Sequence, residues 1–286
     1  MTATHPRFIL TLDCDDRPGI VAAITGVLAE LGCNIEESAQ YGDPVSQQFF
    51  MRIAFGSLAG RAQTEVERGL RPVAERFRMR WRVTDQTTRP QVIVMVSRFD
   101  HCLRDLLYRS EIGALRIGGV TVVSNHTDAR SVTETHGHAF HYIPITKQTK
   151  PEAEATLLNL VRETGADLVI LARYMQVLSS TLSERLYGHV INIHHSFLPS
   201  FKGAGPYRQA HARGVKLIGA TAHYVTPDLD EGPIIEQETD RVDHAMTAED
   251  LVAAGRDIEA RVLARAVKFH LEQRVLLNGH RTVVFR

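Results

Sequence analysis

The spacing of hydrophobic positions changes several times within the first 84 residues. Arg7–Leu12 alternates apolar and polar side chains, which predicts a half-buried strand. From Ile20 to Leu31 the apolar residues recur every three or four positions, which predicts a helix with Pro18 in its first turn. The same reasoning predicts strands over 33–40, 48–55 and 77–83 and a helix over 61–75. Residues 1–84 are therefore expected to form a ferredoxin-like βαββαβ domain.

A second pattern begins after residues 85–90, which include no apolar side chain except a final proline and are predicted to be a linker. Continuous aliphatic runs at 92–96, 120–124 and 168–171 are typical of parallel strands covered on both faces. Helical patterns at 103–109 and 149–163 separate them. Strands over 190–193 and 217–225, a long helix from Thr247 through Phe269 and a last strand at 281–285 complete the pattern. Residues 91–286 are expected to form a doubly wound, mainly parallel Rossmann-like α/β domain.

Composition and charge narrow the classes of function. The chain has 286 residues with 33 Lys plus Arg and 33 Asp plus Glu. A chain without a basic excess lacks the field that holds a polyanion, so we expect neither a nucleic acid nor a membrane surface as partner. No apolar run is long enough to cross a bilayer, and the first residues lack the pattern of a secretion signal. With three scattered cysteines, the expected location is the cytoplasm.

A polar cluster follows the strand predicted at 190–193. Asn192 and His194 are two residues apart on an extended segment, so both side chains are expected on one face, with His195 on the other. An amide beside an imidazole suits acyl chemistry, because the amide stabilises an oxyanion and the imidazole moves a proton. The alternative is that these are polar residues at a strand end whose hydrogen bonds are made by the backbone.

A carboxylate that would complete this set follows the strand predicted at 217–225. Asp230 lies in a stretch rich in turn-forming residues, and we select it as the candidate. A local turn in which an Asp side chain binds its own backbone is the alternative.

Metal catalysis is the competing chemistry, because the chain has 14 histidines. Adjacent strand residues such as His194 and His195 do not readily face one ion. No His-x-x-x-His pair with a carboxylate partner at helical spacing is present. We expect no metal.

Three segments together resemble a known family. NIHHSFLPSFKGAGPY (192–207), GATAHYVTPDLDEGPIIEQE (219–238) and LARYMQVLS (171–179) are similar to folate-dependent formyltransferase domains, and in detail to those of the formyltetrahydrofolate deformylases. Residues 7–84, with DRPGIVAAIT after the first strand, resemble an ACT domain. The resemblance implies a hydrolase that converts 10-formyltetrahydrofolate to formate and tetrahydrofolate. The folate is the substrate and no cofactor is implied.

The resemblance also implies roles for individual residues. The family's catalytic Asn, His and Asp fall on Asn192, His194 and Asp230. The segment that lines the folate pocket falls on Arg173, Tyr174, Met175, Gln176, Val177 and Leu178. His195 and His223 are further candidates for contact with the substrate, although a core or surface position is an equal alternative for His223. Whether the formate feeds purine biosynthesis or balances one-carbon pools stays open.

The residues after the first strand of the second domain indicate which molecule accepts the formyl group. Transferases of this fold that act on a phosphorylated amine place a glycine-rich turn after the first strand, where backbone N–H groups bind the phosphate. Here the turn is Ser97–Cys102, which has no glycine and places Asp100 where an anion would approach. Water is therefore the expected nucleophile. The alternatives are a formyltransferase acting on an amine such as glycinamide ribonucleotide, and a regulatory folate-binding protein without turnover.

The ACT-like domain implies regulation. Small effectors of such domains, often amino acids, bind at the turn between the first strand and the first helix, at an interface between two copies. The residues in that position are Asp16, Arg17, Pro18, Gly19 and Ile20. A turn that only packs is the alternative. The resemblance implies a homo-oligomer, either a dimer or a tetramer, and the residues do not select the effector.

Overall fold

A computed structural model describes residues 5–198 and 206–286. Part of the motif at 192–207, residues 199–205, lies outside the described residues. The chain divides into two compact units. The first unit runs to Arg89 and also includes Glu272–Arg286, and the second unit is Pro90–Leu271. No described helix combines the length and the apolar composition that a membrane crossing requires.

The first unit contains the expected βαββαβ order. Its elements are β1 (Arg7–Asp15), α1 (Ile20–Glu30), β2 (Cys33–Asp43), β3 (Gln48–Ser57), α2 (Gln63–Phe77) and β4 (Arg80–Asp85). The four strands form an antiparallel sheet in the order β2-β3-β1-β4. Alternate residues of β1, including Phe8, Leu10 and Leu12, are buried in a core with Ile24 of α1 and Leu70 of α2. The period-two and helical patterns were sufficient to predict this arrangement.

The last fifteen residues belong to the first unit, which corrects the predicted boundary of 91–286 for the second domain. They form the hairpin β12 (Val275–Asn278) and β13 (Arg281–Val284). Leu276 and Phe285 pack against Phe50 of β3. The buried Asp43 carboxylate accepts hydrogen bonds from Asn278 (2.7 Å) and Arg281 (2.6 Å). Chain order alone does not reveal this packing, because the partners are more than 230 residues apart.

The second unit is a three-layer α/β domain. Its elements up to β8 are β5 (Gln91–Val96), α3 (His101–Glu111), β6 (Gly119–Ser124), α4 (Arg130–Thr135), β7 (Ala139–Tyr142), α5 (Lys150–Thr164) and β8 (Leu168–Leu171). The remainder are α6 (Ser180–Arg185), β9 (Val190–His194), α7 (Pro206–Arg213), β10 (Leu217–Tyr224), β11 (Ile234–Arg241) and α8 (Ala248–Leu271). The sheet order is β11-β10-β9-β8-β5-β6-β7.

This strand order positions the site. The chain runs from β5 outwards to β6 and β7 and then returns to β8 and β9 on the other side, so the direction of winding reverses between β5 and β8. Ligands of open α/β sheets bind at the carboxyl ends of the strands at such a point. β5 to β9 are parallel to one another, whereas β10 is antiparallel to both of its neighbours, β9 and β11, which confirms the mainly parallel α/β class.

The start of α1 differs from the sequence prediction. The helix begins at Ile20, and Gly19 caps it with a φ of 93°, a left-handed conformation that favours glycine. Pro18 therefore lies before the helix and not in its first turn.

Candidate active site

Asn192 and His223 face each other across two antiparallel strands. In the register of β9 and β10, His223 lies directly opposite Asn192. The side-chain nitrogens Asn192 Nδ2 and His223 Nε2 are 3.2 Å apart. His223 Nδ1 is 2.9 Å from the carbonyl oxygen of Tyr224 and donates to it, because a carbonyl only accepts. In the neutral imidazole Nε2 is then an acceptor, so it holds one amide hydrogen of Asn192 and leaves the second available.

Asp230 reaches the same place from the loop between β10 and β11. Its Oδ2 is 3.2 Å from His194 Nδ1, and its Oδ1 is 3.7 Å from His223 Nε2. The backbone of Asp230 is left-handed, with a φ of 57°, which is uncommon for a residue other than glycine. Gly232 lets this loop approach β10, because a Cβ there would lie 1.8 Å from the carbonyl oxygen of Tyr224. Asn192, His194, His223 and Asp230 are the β9–β10 cluster.

The electrostatics of the β9–β10 cluster keep Asp230 ionised. Burial opposes ionisation, but the hydrogen bond from His194 outweighs it and holds the pKa of the Asp230 carboxyl well below its usual range. The carboxylate thus accepts the Nδ1 hydrogen of His194. On the other side of that ring, Nε2 is buried and has no hydrogen-bond partner among the described residues. An imidazole held in this way offers a buried lone pair, two residues along β9 from the Asn192 amide.

His195 lies beside His194, not on the opposite face as expected. β9 ends at His194, and the two imidazole rings stack with their centroids 5.1 Å apart. Burial first, then the charges of Arg173 and His194, lowers the pKa of His195 to about 4. His195 is therefore neutral near pH 7. After it, the Thr221 hydroxyl holds the chain by donating to the Ser196 carbonyl at 3.0 Å.

Residues 173–178 follow β8 and form a turn held by Ser97. The Ser97 hydroxyl accepts from Met175 N at 3.0 Å and donates to Asn125 Oδ1 at 2.7 Å. Arg173 has a left-handed backbone with a φ of 64°. Met175 and Val177 are exposed, whereas Tyr174 and Leu178 are buried. Tyr174, Gln176, Val177 and Leu178 line one side of a pocket whose other walls include Val123 and Glu154.

A second group of buried polar residues was missed by the sequence analysis. Glu259 of α8 is 1% exposed, and three side chains surround its carboxylate. The distances are 2.8 Å to His101 Nε2, 3.2 Å to Arg173 Nε and 2.8 Å to the Tyr207 hydroxyl. These four residues are the Glu259 cluster. The available signal was a carboxylate among the apolar positions of a long amphipathic helix, between Ile258 and Val262.

The Glu259 cluster also bears on metal binding. Ligand atoms of His101, Cys102 and Glu259 lie within 4.8 Å of one another. However, the Glu259 carboxylate already binds His101 and Arg173. The Arg173 guanidinium supplies the positive charge that a metal ion would otherwise supply. Burial and the nearby Glu259 charge raise the pKa of the Cys102 thiol well above its usual range, which disfavours the thiolate that binds metals. This donor set suits an ion-pair network better than a metal centre.

The candidate effector residues lie together on the surface of the first unit. Asp16, Arg17, Pro18 and Gly19 are exposed between β1 and α1, whereas Ile20 is buried. The Arg17 guanidinium donates to the carbonyl oxygen of Arg76 at 3.0 Å and lies over the Phe77 ring. Backbone groups of the turn, and not the Ile20 side chain, are therefore accessible to a ligand.

Comparisons with known proteins agree with the division of the chain into two domains. A family model described as an ACT domain matches residues 8–67, and one described as formyl transferase matches residues 90–267. A relative from Corynebacterium sp. (strain P-1), named formyltetrahydrofolate deformylase, is 52% identical over 284 residues, which cover 98% of this chain and 98% of the relative.

Solved structures separate two kinds of similarity. The formyltetrahydrofolate deformylase of Burkholderia mallei has a TM-score of 0.95 and 53% identity, covering 98% of this chain and 100% of that one. Glycinamide ribonucleotide transformylase 1 of Symbiobacterium toebii has a TM-score of 0.65 and 28% identity, covering 71% of this chain and 97% of that one. On full-length similarity to the first kind, and with both domain models matched, this chain belongs to the formyltetrahydrofolate deformylase family.

Proposed function

We propose that this chain hydrolyses 10-formyltetrahydrofolate to formate and tetrahydrofolate, with Asn192, His194 and Asp230 as its catalytic residues. One observation carries the proposal. The buried Nε2 of His194 has no partner among the described residues, while Asp230 holds the opposite nitrogen of the same ring at 3.2 Å. This is the arrangement of a general base awaiting a proton, with its tautomer set by a carboxylate.

In the first step water attacks the formyl carbon. The new C–O bond forms as the carbonyl electron pair moves to oxygen, and the water proton passes to His194 Nε2. Asp230 stabilises the resulting imidazolium through Nδ1. The free amide hydrogen of Asn192 stabilises the oxyanion, an interaction that strengthens as charge develops. His223 acts as a positioning residue, because its Nε2 orients that amide.

In the second step the tetrahedral intermediate collapses. The bond between the formyl carbon and the folate N10 breaks, and N10 takes the proton that His194 holds. Formic acid loses its remaining proton to water at neutral pH. His194 is then neutral again, with its Nδ1 hydrogen on Asp230, so the residues return to their starting state without any other reactant.

We propose that Arg173, Tyr174, Met175, Gln176, Val177 and Leu178 bind the folate. The largely apolar surface that Tyr174, Val177 and Leu178 form beside Val123 supports this, as does the Ser97 hydroxyl, which holds the backbone of the segment. His195 is neutral and stacked on His194, and we assign it a contact with the substrate close to the reacting carbonyl.

Transfer to an amine such as glycinamide ribonucleotide is the second candidate, favoured by the likeness to the Symbiobacterium transformylase. Three observations favour water instead. The turn Ser97–Cys102 has no glycine, the chain has an ACT domain, and full-length relatives carry the deformylase name. No cofactor or metal is needed by the mechanism above.

For the first unit we propose an amino-acid effector at the turn Asp16–Ile20 and a homo-oligomer, either a dimer or a tetramer. The exposed turn with its helix N-terminus supports the former. The three free cysteines, Cys14, Cys33 and Cys102, fit a reducing compartment, and we propose the cytoplasm. Amino acids that alter the rate of formate release would support the first proposal, and an Arg17→Ala variant should respond less.

The activity is tested by incubating the purified protein with 10-formyltetrahydrofolate, with and without glycinamide ribonucleotide. Formate release that needs no amine is the expected result, and it should survive exhaustive chelation of metals. Product formed only when the amine is present would replace hydrolysis by transfer. Folate binding without either product would reduce the chain to a regulatory binding protein.

A further inference from the structure

The Glu259 cluster lies at the carboxyl edge of the sheet beside the β9–β10 cluster. Leu171 of β8 is in register with Met95 of β5 and with Asn192 of β9. Continuing this register places Ser97, Arg173 and His194 side by side, and Ser97 N donates to the Arg173 carbonyl at 3.3 Å. Adjacent strands are roughly 4.8 Å apart. The two clusters are therefore neighbours across the point where the winding of the sheet reverses.

Helix α3 begins at the same edge of the sheet. A helix start after the first strand of such a sheet favours an anion, because its N–H groups and dipole are directed there. His101 is the first residue of α3, and its ring binds the Glu259 carboxylate at 2.8 Å. Asp100, which the sequence suggested as the charge in this position, is instead paired with Arg104 at 2.7 Å. Glu259 is the anion that the protein itself supplies.

The space around the carboxylate is filled. The Tyr207 ring is 6% exposed and lies against Gly255, where an added Cβ would be 2.1 Å from the ring. The Tyr207 hydroxyl donates to one oxygen of Glu259, and His101 and Arg173 lie against the other, while Arg173 Nη1 has no hydrogen-bond partner among the described residues. This part of the sheet edge thus holds a buried carboxylate paired with Arg173 and an aromatic ring in close contact with the backbone of α8.

We infer that the Glu259 cluster determines the specificity for water, Glu259 by occupying Arg173 and His101, which would otherwise bind an anionic acceptor, and Tyr207 by occupying the space of a larger nucleophile. The inference rests on the proposed hydrolysis and names the residues that restrict its nucleophile. Two separate results are expected from it. Removing the charge admits an anion, which Arg173 and His101 would bind, and removing the ring admits an amine without a phosphate.

The charge is tested with Glu259→Gln and inorganic phosphate as the probe, with chloride at matched ionic strength as reference. Like charges brought together are costly, so phosphate should bind the variant at least roughly tenfold more tightly than the wild type. We expect phosphate to raise the Tm of Glu259→Gln and to inhibit its formate release, with neither effect in the wild type. Glu238→Gln is the matched control, because Glu238 is also paired with arginines, Arg261 and Arg265, yet belongs to neither cluster.

The ring is tested with Tyr207→Ala, which retains the carboxylate and serves if Glu259→Gln does not fold. The probe is glycinamide, whose nitrogen would form the new bond to the formyl carbon as the bond to N10 breaks and N10 gains the proton. We expect N-formylglycinamide from this variant and none from the wild type, and we expect no response to phosphate.

If phosphate affects the wild type and Glu259→Gln equally, the role proposed for the Glu259 charge is wrong. If Tyr207→Ala forms no N-formylglycinamide, the role proposed for the Tyr207 ring is wrong. The Tm measurement does not require activity. A wild type that releases no formate, combined with a phosphate-stabilised Glu259→Gln, would therefore disprove the proposed function and leave the exclusion of anions intact.

Discussion

The β9–β10 cluster and the Glu259 cluster both lie at the carboxyl edge of one sheet, and they differ in whether the atom left without a partner is an acceptor or a donor. Both oxygens of Glu259 are bound by side chains of the protein. His194, in contrast, retains a buried Nε2 with no partner among residues 5–198 and 206–286. Buried polar atoms are nearly always paired, so an unpaired one in a native site indicates a position for a ligand.

This contrast separates reactivity from exclusion. In the β9–β10 cluster Asp230 holds Nδ1 of His194 and His223 holds one amide hydrogen of Asn192, which leaves the Nε2 lone pair of His194 without a partner among the described residues. In the Glu259 cluster both oxygens of the carboxylate are bound, and the buried atoms without a hydrogen-bond partner among the described residues are donors, Nε and Nη1 of Arg173. We therefore expect substitutions in the first to affect the rate and substitutions in the second to affect stability and acceptor choice.

The largest effect is expected from Asp230→Asn. An amide no longer holds the Nδ1 hydrogen of His194, so Nε2 loses its role as base; a comparable change in another hydrolase lowers kcat by roughly 10⁴. The measurement is formate release under single-turnover conditions. Asp228→Asn, an exposed residue of the same loop, is the control and should retain wild-type activity. A loss of less than tenfold would contradict the assignment.

Asn192→Ala is expected to be the next largest. Loss of one oxyanion donor costs about 2.7 to 4 kcal/mol, which corresponds to a decrease in kcat of roughly 100- to 1000-fold. KM should change little, because the interaction develops in the transition state. Steady-state kinetics with folate-binding measurements separate the two. Wild-type turnover would remove Asn192 from the mechanism.

Tyr207→Phe tests the Glu259 cluster. It removes one donor to the buried Glu259 carboxylate, and a hydrogen bond to a charged group contributes roughly 1.5 to 3 kcal/mol to stability. Urea unfolding should show this loss, while formate release from water stays within about twofold of wild type because the ring still fills its place. A decrease in kcat like that of Asn192→Ala would show that the clusters are not separable.

The effect of His195→Asn on stability is expected to be the smallest near pH 7, and it appears only as the pH is lowered. In the folded chain the pKa of His195 is about 4, whereas the unfolded value is near 6.5. The unfolded state therefore binds more protons between these values, and stability falls as the pH drops from 6.5 towards 4. The variant should lose up to about 3 kcal/mol of this dependence. Urea unfolding at several pH values measures it, and an unchanged slope would contradict a neutral, buried His195.

The strands that carry the site were predicted, whereas α4, β7, α6, α7 and β11 were not. The strands ending at Val96, Leu171 and His194 follow from aliphatic runs, and three candidates, Asn192, His194 and Asp230, are brought together. Tertiary packing overrode the prediction at the C-terminus, where β12 and β13 join the first unit. It also overrode the alternation at His195, because β9 ends one residue earlier.

Sequence alone determined the periodicities, the strand ends and the presence of an amide, an imidazole and a carboxylate near them, since these are properties of neighbouring residues. Only the tertiary structure decided that His223 orients Asn192, that Gly232 brings Asp230 to His194, and that Glu259 meets His101 across 158 positions of the chain. Register, close backbone approach and burial are set by packing between distant segments, and no local pattern encodes them.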